Sequence, residues 1–318
     1  MSQAVLGADI SKITFDVALI INNKIKHKKF DNKPSGFSSL VDWLNSYETQ
    51  DIHICMEATG IYGESLATFL YEAGYKVSVV NPAQIKGFAR GELSRTKTDK
   101  ADAKLIARFC VAMNPSLWQP PPSHIRQLQA LVRRLESLQD MHQQESNRLE
   151  SATEIVQYSI ETIKAKLAEE IKLVKKKIKD LIDQNPDLRD KKKLLETIPG
   201  VGENTISQVL AFMFIERFNC AKQLSAFVGL NPKQHISGTS VKGHTRLSKM
   251  GSSSLRKALY MPSIVAKRYN PIIKAFSERL KAAGKSTMLI IGAAMRKLVH
   301  IIYGVLKSGK PFDATLAV

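Results

Sequence analysis

A proline-rich segment separates two parts of the sequence that differ in hydrophobic periodicity. Residues 115–122 contain Trp118 and three consecutive prolines, so this stretch is extended and excludes a helix. Before it, short apolar and β-branched runs alternate with helical patterns, as in an α/β fold. After it, apolar residues recur at helical spacing. The sequence therefore predicts an α/β domain (mixed sheet with helices) over 1–118, a long helical hairpin or coiled-coil segment over 119–190, and a mostly α-helical domain over 191–318.

The first 90 residues predict a mixed sheet covered by helices. Strands are expected at residues 4–10, 14–21, 24–30, 52–56 and 76–80. The first three form an antiparallel meander, because Asn22 and Asn23 make a turn. Helices are expected at 34–44, 62–73 and 81–90. In such sheets, functional groups collect where neighbouring strands end.

Four acidic residues stand at the ends of these predicted elements. Asp9 ends the first strand, Glu57 follows the fourth, and Asp99 and Asp102 lie three residues apart in the first turn of a helix. Taken alone, the helical pair is better explained as solvated aspartates near the positive end of the helix dipole. Four converging acids, however, predict a Mg²⁺ (or Mn²⁺) site for phosphoryl transfer, because such ions prefer oxygen ligands.

The C-terminal part of the chain is strongly basic. The 318 residues include 47 Lys or Arg against 29 Asp or Glu, a net charge of +18. From residue 231 onward, 16 Lys or Arg face only Glu278 and Asp313. A surplus of this size is typical of proteins that bind polyanions, so we expect nucleic acid to contact this region.

Two further patterns concern helices. Apolar seams predict long helices at 125–158 and 160–182, which would form an antiparallel hairpin or an intersubunit coiled coil. Residues 198–202 read Ile-Pro-Gly-Val-Gly, like the turn of a phosphate-binding helix-hairpin-helix, although a plain helix–helix turn explains one copy equally well. The apolar run 288–299 contains Arg296 and Lys297 and is shorter than the roughly 20 residues of a membrane helix. We therefore expect no membrane association.

A run of hydroxyls and cations occupies residues 235–246, His-Ile-Ser-Gly-Thr-Ser-Val-Lys-Gly-His-Thr-Arg. Glycine-bounded hydroxyls beside cations suit contact with a phosphodiester. From the residues alone, this segment is either a phosphate-binding loop or the source of a nucleophile. Ser237, Thr239 and Ser240 are then all candidates.

Together these motifs resemble the IS110 family of bacterial insertion-sequence transposases. The Gly-x-Asp strand, the Glu-Ala-Thr-Gly strand end and the Lys-Thr-Asp-x-x-Asp-Ala helix start are similar to that family's Asp-Glu-Asp-Asp domain, which resembles the junction nuclease RuvC. The Ser-Gly-Thr-Ser-Val-Lys-Gly run and residues 249–262 are similar to its C-terminal domain. Thr239, where some members have Ser, is a mild departure. The resemblance extends nearly end to end.

The resemblance implies a transposase or DNA recombinase with metal held by the four acids and with Ser237 as the nucleophile that forms a covalent phosphoserine. It also implies a homo-oligomer (dimer or tetramer) with composite active sites, a structured non-coding bridge RNA that guides the protein to DNA, and a cytoplasmic, nucleoid-associated location. Basic residues of the C-terminal domain are expected to hold phosphates: Lys242, Arg246, Lys249, Arg256 and Lys257.

Two alternatives remain open. A metal-dependent junction nuclease would use the acids and water, with Ser237 only binding phosphate, so it would still cut DNA after Ser237→Ala. A non-catalytic nucleic-acid-binding scaffold would keep every activity after Asp9→Ala or Asp102→Ala and would bind no metal.

Overall fold

The computed structural model describes residues 4–47, 49, 51–58, 60–92, 98–237 and 241–315, with the backbone alone at 61, 234–237 and 241–245. The chain divides into two compact units, and the boundary falls between Pro121 and Pro122, three residues beyond the expected end of the α/β domain. The helices of segment 119–190 share one core with the helices that follow them. The expected middle segment is therefore part of the second compact unit.

The first unit is built on a five-stranded mixed sheet. Its strands are β1 (Ala4–Ile10), β2 (Thr14–Ile21), β3 (Lys24–Asp31), β4 (Ile52–Glu57) and β5 (Lys76–Val80). Their order is β3-β2-β1-β4-β5, antiparallel from β3 to β1 and parallel from β1 to β5. Asn22 and Asn23 both adopt positive φ, as the tight turn between β2 and β3 requires.

Helices cover both faces of this sheet. They are α1 (Pro34–Asn45), α2 (Ile61–Glu72), α3 (Pro82–Gly91) and α4 (Asp99–Met113). Because side chains alternate along a strand, Leu6 of β1 packs with α1 and α2, while its neighbour Val5 packs with α3 and α4. Both faces are therefore buried at the central strands β1 and β4, whereas most of the edge strand β3 is exposed.

Gly7 allows α4 to lie directly on β1. A Cβ atom at position 7 would lie 2.9 Å from the Ala107 Cα atom and closer still to the Ala103 carbonyl oxygen. Only glycine leaves room for this approach. Ala103 and Ala107 are buried there together with Ala18 of β2. This contact fixes the position of α4 on the sheet.

The second unit is mostly helical. Its helices are α5 (Ser123–Glu150), α6 (Glu154–Gln184), α7 (Pro186–Glu196), α8 (Glu203–Phe212), α9 (Ala221–Val228), α10 (Ser253–Tyr269), α11 (Pro271–Ala282) and α12 (Thr287–Ser308). A hairpin of β6 (Pro232–Ser237) and β7 (Val241–Leu247) lies between α9 and α10. The expected fold class, an α/β mixed sheet followed by long helices and a mostly α-helical domain, is confirmed.

The break between the two long helices differs from the sequence expectation. It lies at residues 151–153, whereas the sequence placed it near Tyr158. Ser151 and Thr153 flank this turn, and short hydroxyl side chains compete with helical hydrogen bonds. Ile155 and Tyr158 follow in the first turns of α6, where they are 90% and 81% exposed.

Helix α12 forms much of the core of the second unit. In the described part of the chain it is the one helix long and apolar enough, by length and composition, to cross a membrane, with a mean hydropathy of 1.6. The sequence predicts a long C-terminal helix at 289–306, but its apolar run was measured only over 288–299, whereas the helix spans Thr287–Ser308. However, 61% of the 18-residue apolar stretch within this helix is buried inside the protein. Packing against neighbouring helices therefore accounts for its apolar composition.

Candidate active site

Asp9 and Glu57 lie at the ends of two neighbouring parallel strands. Ala8 of β1 pairs with Met56 of β4, and the two acids are the next residues on their strands. Both are partly buried. Asp9 is two residues beyond Gly7, so it is on the face of the sheet that α4 covers.

Asp99 and Asp102 lie in the first turn of α4, which begins at the residue that the sequence predicted. Thr98 caps the helix, since its Oγ1 accepts a hydrogen bond from the Ala101 amide at 3.2 Å. Asp99 is exposed and Asp102 is partly buried. The helix dipole stabilises negative charge at both positions.

The predicted acids gather around Asp9. Burial, followed by repulsion from Asp102, Asp99, Glu57 and Asp16 in that order, raises the pKa of Asp9 from 3.8 to about 6. Repulsion of this kind requires the other carboxylates to lie close to Asp9. The structure therefore brings all four acids predicted from the sequence to one end of the sheet.

Asp16 is a fifth acid that the sequence interpretation left without a role. It lies directly opposite Asp9 in the β1–β2 register and is buried. Its carboxylate contacts His27 Nε2 at 2.9 Å and Lys29 Nζ at 3.5 Å, both from β3. The Lys29 ammonium offsets its charge, and the His27 ring forms a hydrogen bond with it. The short connection between β1 and β2 was the signal that could have placed Asp16 beside Asp9.

The acids suit a divalent cation by their chemistry. All are carboxylates, which Mg²⁺ and Mn²⁺ prefer, and a cation would relieve the repulsion that raises the pKa of Asp9. Within the described residues, however, no three His, Cys, Asp or Glu side chains are grouped closely enough to hold one metal ion. A shared ion would therefore require these side chains to turn toward one another.

Ser237 is the last residue of β6, where it pairs with Val241 of β7. The segment that the sequence read as a loop thus consists largely of a β-hairpin. The structure describes only the backbone of Ser237 and Lys242, and Thr239 and Ser240 lie outside the described residues. The functional groups of these residues stay predictions.

The other basic residues proposed to bind phosphates have different surroundings. Arg246 and Lys249 are exposed. Arg256 is partly buried, and its Nη1 donates hydrogen bonds to the carbonyl oxygens of Val228 (2.9 Å) and Gly251 (3.1 Å). Lys257 forms an ion pair with Asp140 of α5, at an Nζ–Oδ1 distance of 2.6 Å. Arg256 and Lys257 thus already have partners within the protein.

The 198–202 turn connects α7 to α8. Gly200 has φ +98° and lies against α10, where a Cβ would be 2.8 Å from the Ala266 Cβ and amide nitrogen. Gly202 precedes α8, and a Cβ there would meet open space. Close packing on α10 therefore explains why residue 200 is a glycine. Of the two glycines in this turn, Gly202 alone leaves the backbone open to a phosphate.

Comparisons with known proteins agree along nearly the whole chain. Residues 6–156 match the IS110 DEDD domain described as a transposase, and residues 192–278 match the domain described as transposase IS116/IS110/IS902 family. The pilin gene-inverting proteins of Moraxella bovis and Moraxella lacunata are 37% and 36% identical, over 98% of both chains in each case. The structure of T. thermophilus RuvC in complex with Holliday junction substrate is 16% identical and has a TM-score of 0.27, covering 35% of this chain and 96% of that chain.

Proposed function

Because this chain belongs to the IS110 family of transposases, whose members rearrange DNA, we propose that it cuts and rejoins DNA strands through a covalent bond to Ser237. Asp9, Glu57, Asp99 and Asp102 would hold Mg²⁺ or Mn²⁺. The observation that carries the proposal is the gathering of acids around Asp9 in a chain whose two parts both match transposase domains.

The proposed chemistry exchanges one phosphodiester for another. Ser237 Oγ bonds to phosphorus, the bond from phosphorus to the oxygen of one strand end breaks, and that oxygen takes up the serine proton to leave as a hydroxyl. The hydroxyl oxygen of a new strand end then bonds to phosphorus, the bond from phosphorus to Ser237 Oγ breaks, and Oγ regains a proton as that hydroxyl loses its own. Serine is a weak nucleophile at neutral pH. A divalent metal would supply stabilisation of the alkoxide and of the charge that develops on the phosphate.

DNA is the partner that the family supports, and the basic C-terminal part fits it. The relatives are named for inverting a pilin gene. Inversion requires the same two steps, since ends are cut and rejoined in the opposite orientation. A structured guide RNA belongs to the proposal because the family resemblance implies one, and the net charge of +18 is compatible with RNA as well as DNA. We expect the protein to work in the cytoplasm, at the nucleoid.

The α5–α6 hairpin supports a homo-oligomer. Ile155 and Tyr158, near its tip, are almost fully exposed. Large apolar side chains grouped at the surface mark interaction sites. We propose that this tip contacts a second copy of the chain in a dimer or tetramer, and that the active sites are composite.

The test is a search for the covalent intermediate. Purified protein with its co-purifying RNA, labelled element-end DNA and Mg²⁺ would be run on denaturing gels. Wild type would be compared with Ser237→Ala and Asp102→Ala, and with two exposed controls, Ser253→Ala in α10 and Asp42→Ala in α1. We expect a protein–DNA adduct in wild type and in both controls.

Loss of the adduct in Ser237→Ala and Asp102→Ala alone would support the proposal. Cleavage without an adduct that survives Ser237→Ala would instead indicate a junction nuclease that uses water. Unchanged activity in Asp102→Ala, together with no metal binding, would indicate a scaffold.

A further inference from the structure

Five basic side chains from three helices of the second unit lie near one another along α12. They are Lys222 of α9, Arg279 of α11, and Arg296, Lys297 and His300 of α12. Burial and the positive charges of Arg296, Lys297 and Lys222 lower the pKa of His300. Burial and the charge of Arg279 likewise lower the pKa of Lys297. The groups therefore lie close enough to repel one another, and we call this set the α12 cationic surface.

Two members of this surface have buried polar atoms without hydrogen bonds. Arg296 Nε and His300 Nε2 are both inaccessible to solvent, and neither has a partner among the described residues. A buried polar atom without a partner costs free energy, so such groups call for an explanation. Because both atoms are closed to solvent, an anion would reach them only after these side chains rotate. At the exposed side chains of Lys222 and Arg279 it would reduce the repulsion among the cations directly.

The α12 cationic surface adjoins the hairpin that carries Ser237. Gly292, one turn before Arg296, lies against the side chain of Leu247 in β7, to which a Cβ would be 3.1 Å away. Gly292, Arg296 and His300 are four residues apart, so they share one face of α12. This face supports the base of the hairpin.

The hairpin adds two more cations at its base. Lys233 of β6 lies directly opposite Arg246 of β7, and both are exposed. Like charges opposite each other in a strand pair are destabilising. Their pairing next to Leu247 extends the positive charge from α12 onto the hairpin.

We propose that the α12 cationic surface binds the phosphodiester backbone of a nucleic acid that continues along the β6–β7 hairpin. Cations spread over three helices and a hairpin suit a chain of phosphates better than a single anion, and the planar Arg296 guanidinium matches phosphate geometry. That the bound strand is the one cut at Ser237 rests on the proposed function. Backbone binding itself does not.

The test measures the salt dependence of binding by the full-length protein. Arg296→Gln/Lys297→Gln and Lys222→Gln/Arg279→Gln would be compared with Lys285→Gln/Lys310→Gln, which removes the same charge at exposed positions elsewhere in the unit. Labelled mixed-sequence duplex DNA and single-stranded RNA would be titrated between about 50 and 200 mM salt. Each lost phosphate contact lowers the slope of log K against log salt by about 0.9 for duplex DNA and about 0.7 for single strands.

We expect each surface variant to lose about one to two contacts relative to the control. A loss with DNA alone assigns the site to DNA, and a loss with RNA alone assigns it to RNA. Slopes equal to that of the control with both probes would overturn the proposal. If the α12 double variant fails to fold, as judged by circular dichroism, Lys222→Gln/Arg279→Gln decides, because both of its side chains are exposed. The surface variants could differ from the control in their salt slopes while wild type forms no protein–DNA adduct. That result would refute the serine chemistry and leave the proposal of backbone binding intact.

Discussion

Gly7 of β1 and Ala103 of α4 are in direct backbone contact, since a Cβ on residue 7 would collide with the Ala103 carbonyl oxygen. Asp9 lies two residues further along β1, and Asp102 immediately precedes Ala103. One close approach between a strand and a helix thus positions two of the acids.

Gly7→Ala is expected to push α4 away from the sheet. Overpacking of this kind costs about 1–3 kcal/mol, so the midpoint of urea unfolding should fall. DNA cleavage should fall as well, because Asp99 and Asp102 move with α4. Gly87→Ala in α3 is the matched control, since a Cβ there meets nothing within 4 Å and alanine favours a helix. Equal stability of the two variants would contradict this account.

Asp9→Asn is expected to stabilise the metal-free protein while abolishing DNA cleavage. Because the folded-state pKa of about 6 lies above the ordinary 3.8, the folded protein retains a proton that the unfolded chain releases between those values. Wild-type stability therefore falls as pH rises through this window and stays lower above it. The variant lacks this loss, so it should be more stable than wild type at pH 8. We expect a difference of only about 1 kcal/mol in the free energy of unfolding, because solvent screens part of the repulsion.

Urea unfolding of both proteins at about pH 4 and about pH 8 measures this difference. At the lower pH they should be nearly equal. Asp42→Asn, an exposed substitution in α1, should match wild type at both values. A variant less stable than wild type at pH 8 would show that Asp9 is held by favourable contacts.

Removal of divalent metal should lower the melting temperature of wild type. An ion that binds only the folded state stabilises it by about 2.7 kcal/mol at a concentration one hundred times the Kd. Asp9→Asn should show little response to Mg²⁺ or EDTA. Thermal unfolding with and without Mg²⁺ measures the effect, and equal shifts in both proteins would place the ion elsewhere.

Arg256→Gln is expected to lower stability as well as nucleic-acid binding. Its guanidinium donates to two backbone carbonyls, and hydrogen bonds from charged groups contribute about 1.5–3 kcal/mol each. Lys257→Gln is the comparison, because its exposed ion pair with Asp140 contributes at most about 1 kcal/mol. Urea unfolding and DNA binding should be measured on both variants. Unchanged stability with weakened binding would restore Arg256 as a simple phosphate ligand.

Ile155→Lys/Tyr158→Lys should reduce the mass of the particle in light scattering. Charged side chains at the hairpin tip oppose apolar contact with a second copy. Met113→Lys/Met288→Lys, which also changes two exposed apolar residues, should leave the mass unchanged. An unaltered mass in the tip variant would move the oligomer interface to another surface.

The sequence predicted the first unit well because its signals are local. Alternating apolar residues define the strands, and Thr98 followed by Asp99 marks the start of α4. The burial of Asp16 was missed because it depends on His27 and Lys29, which reach it from a neighbouring strand. Only the assembled sheet shows that arrangement.

The β6–β7 hairpin was missed for a different reason. Residues 235–246 lack the apolar alternation that marks a strand. Likewise, Pro262 lies inside α10, where a proline usually ends or kinks a helix. The role of Gly200 depended on its contact with Ala266 of α10, more than 60 residues away in the chain.

The α5–α6 hairpin is rooted in the same core as the helices around α12. From Leu138, the last fully buried residue of α5, to Ser151 at the turn, the hairpin extends about 20 Å at 1.5 Å per residue. A contact made at the tip would therefore lie about 20 Å from that core. A force applied at the tip becomes a torque on the packed helices at the root of the hairpin.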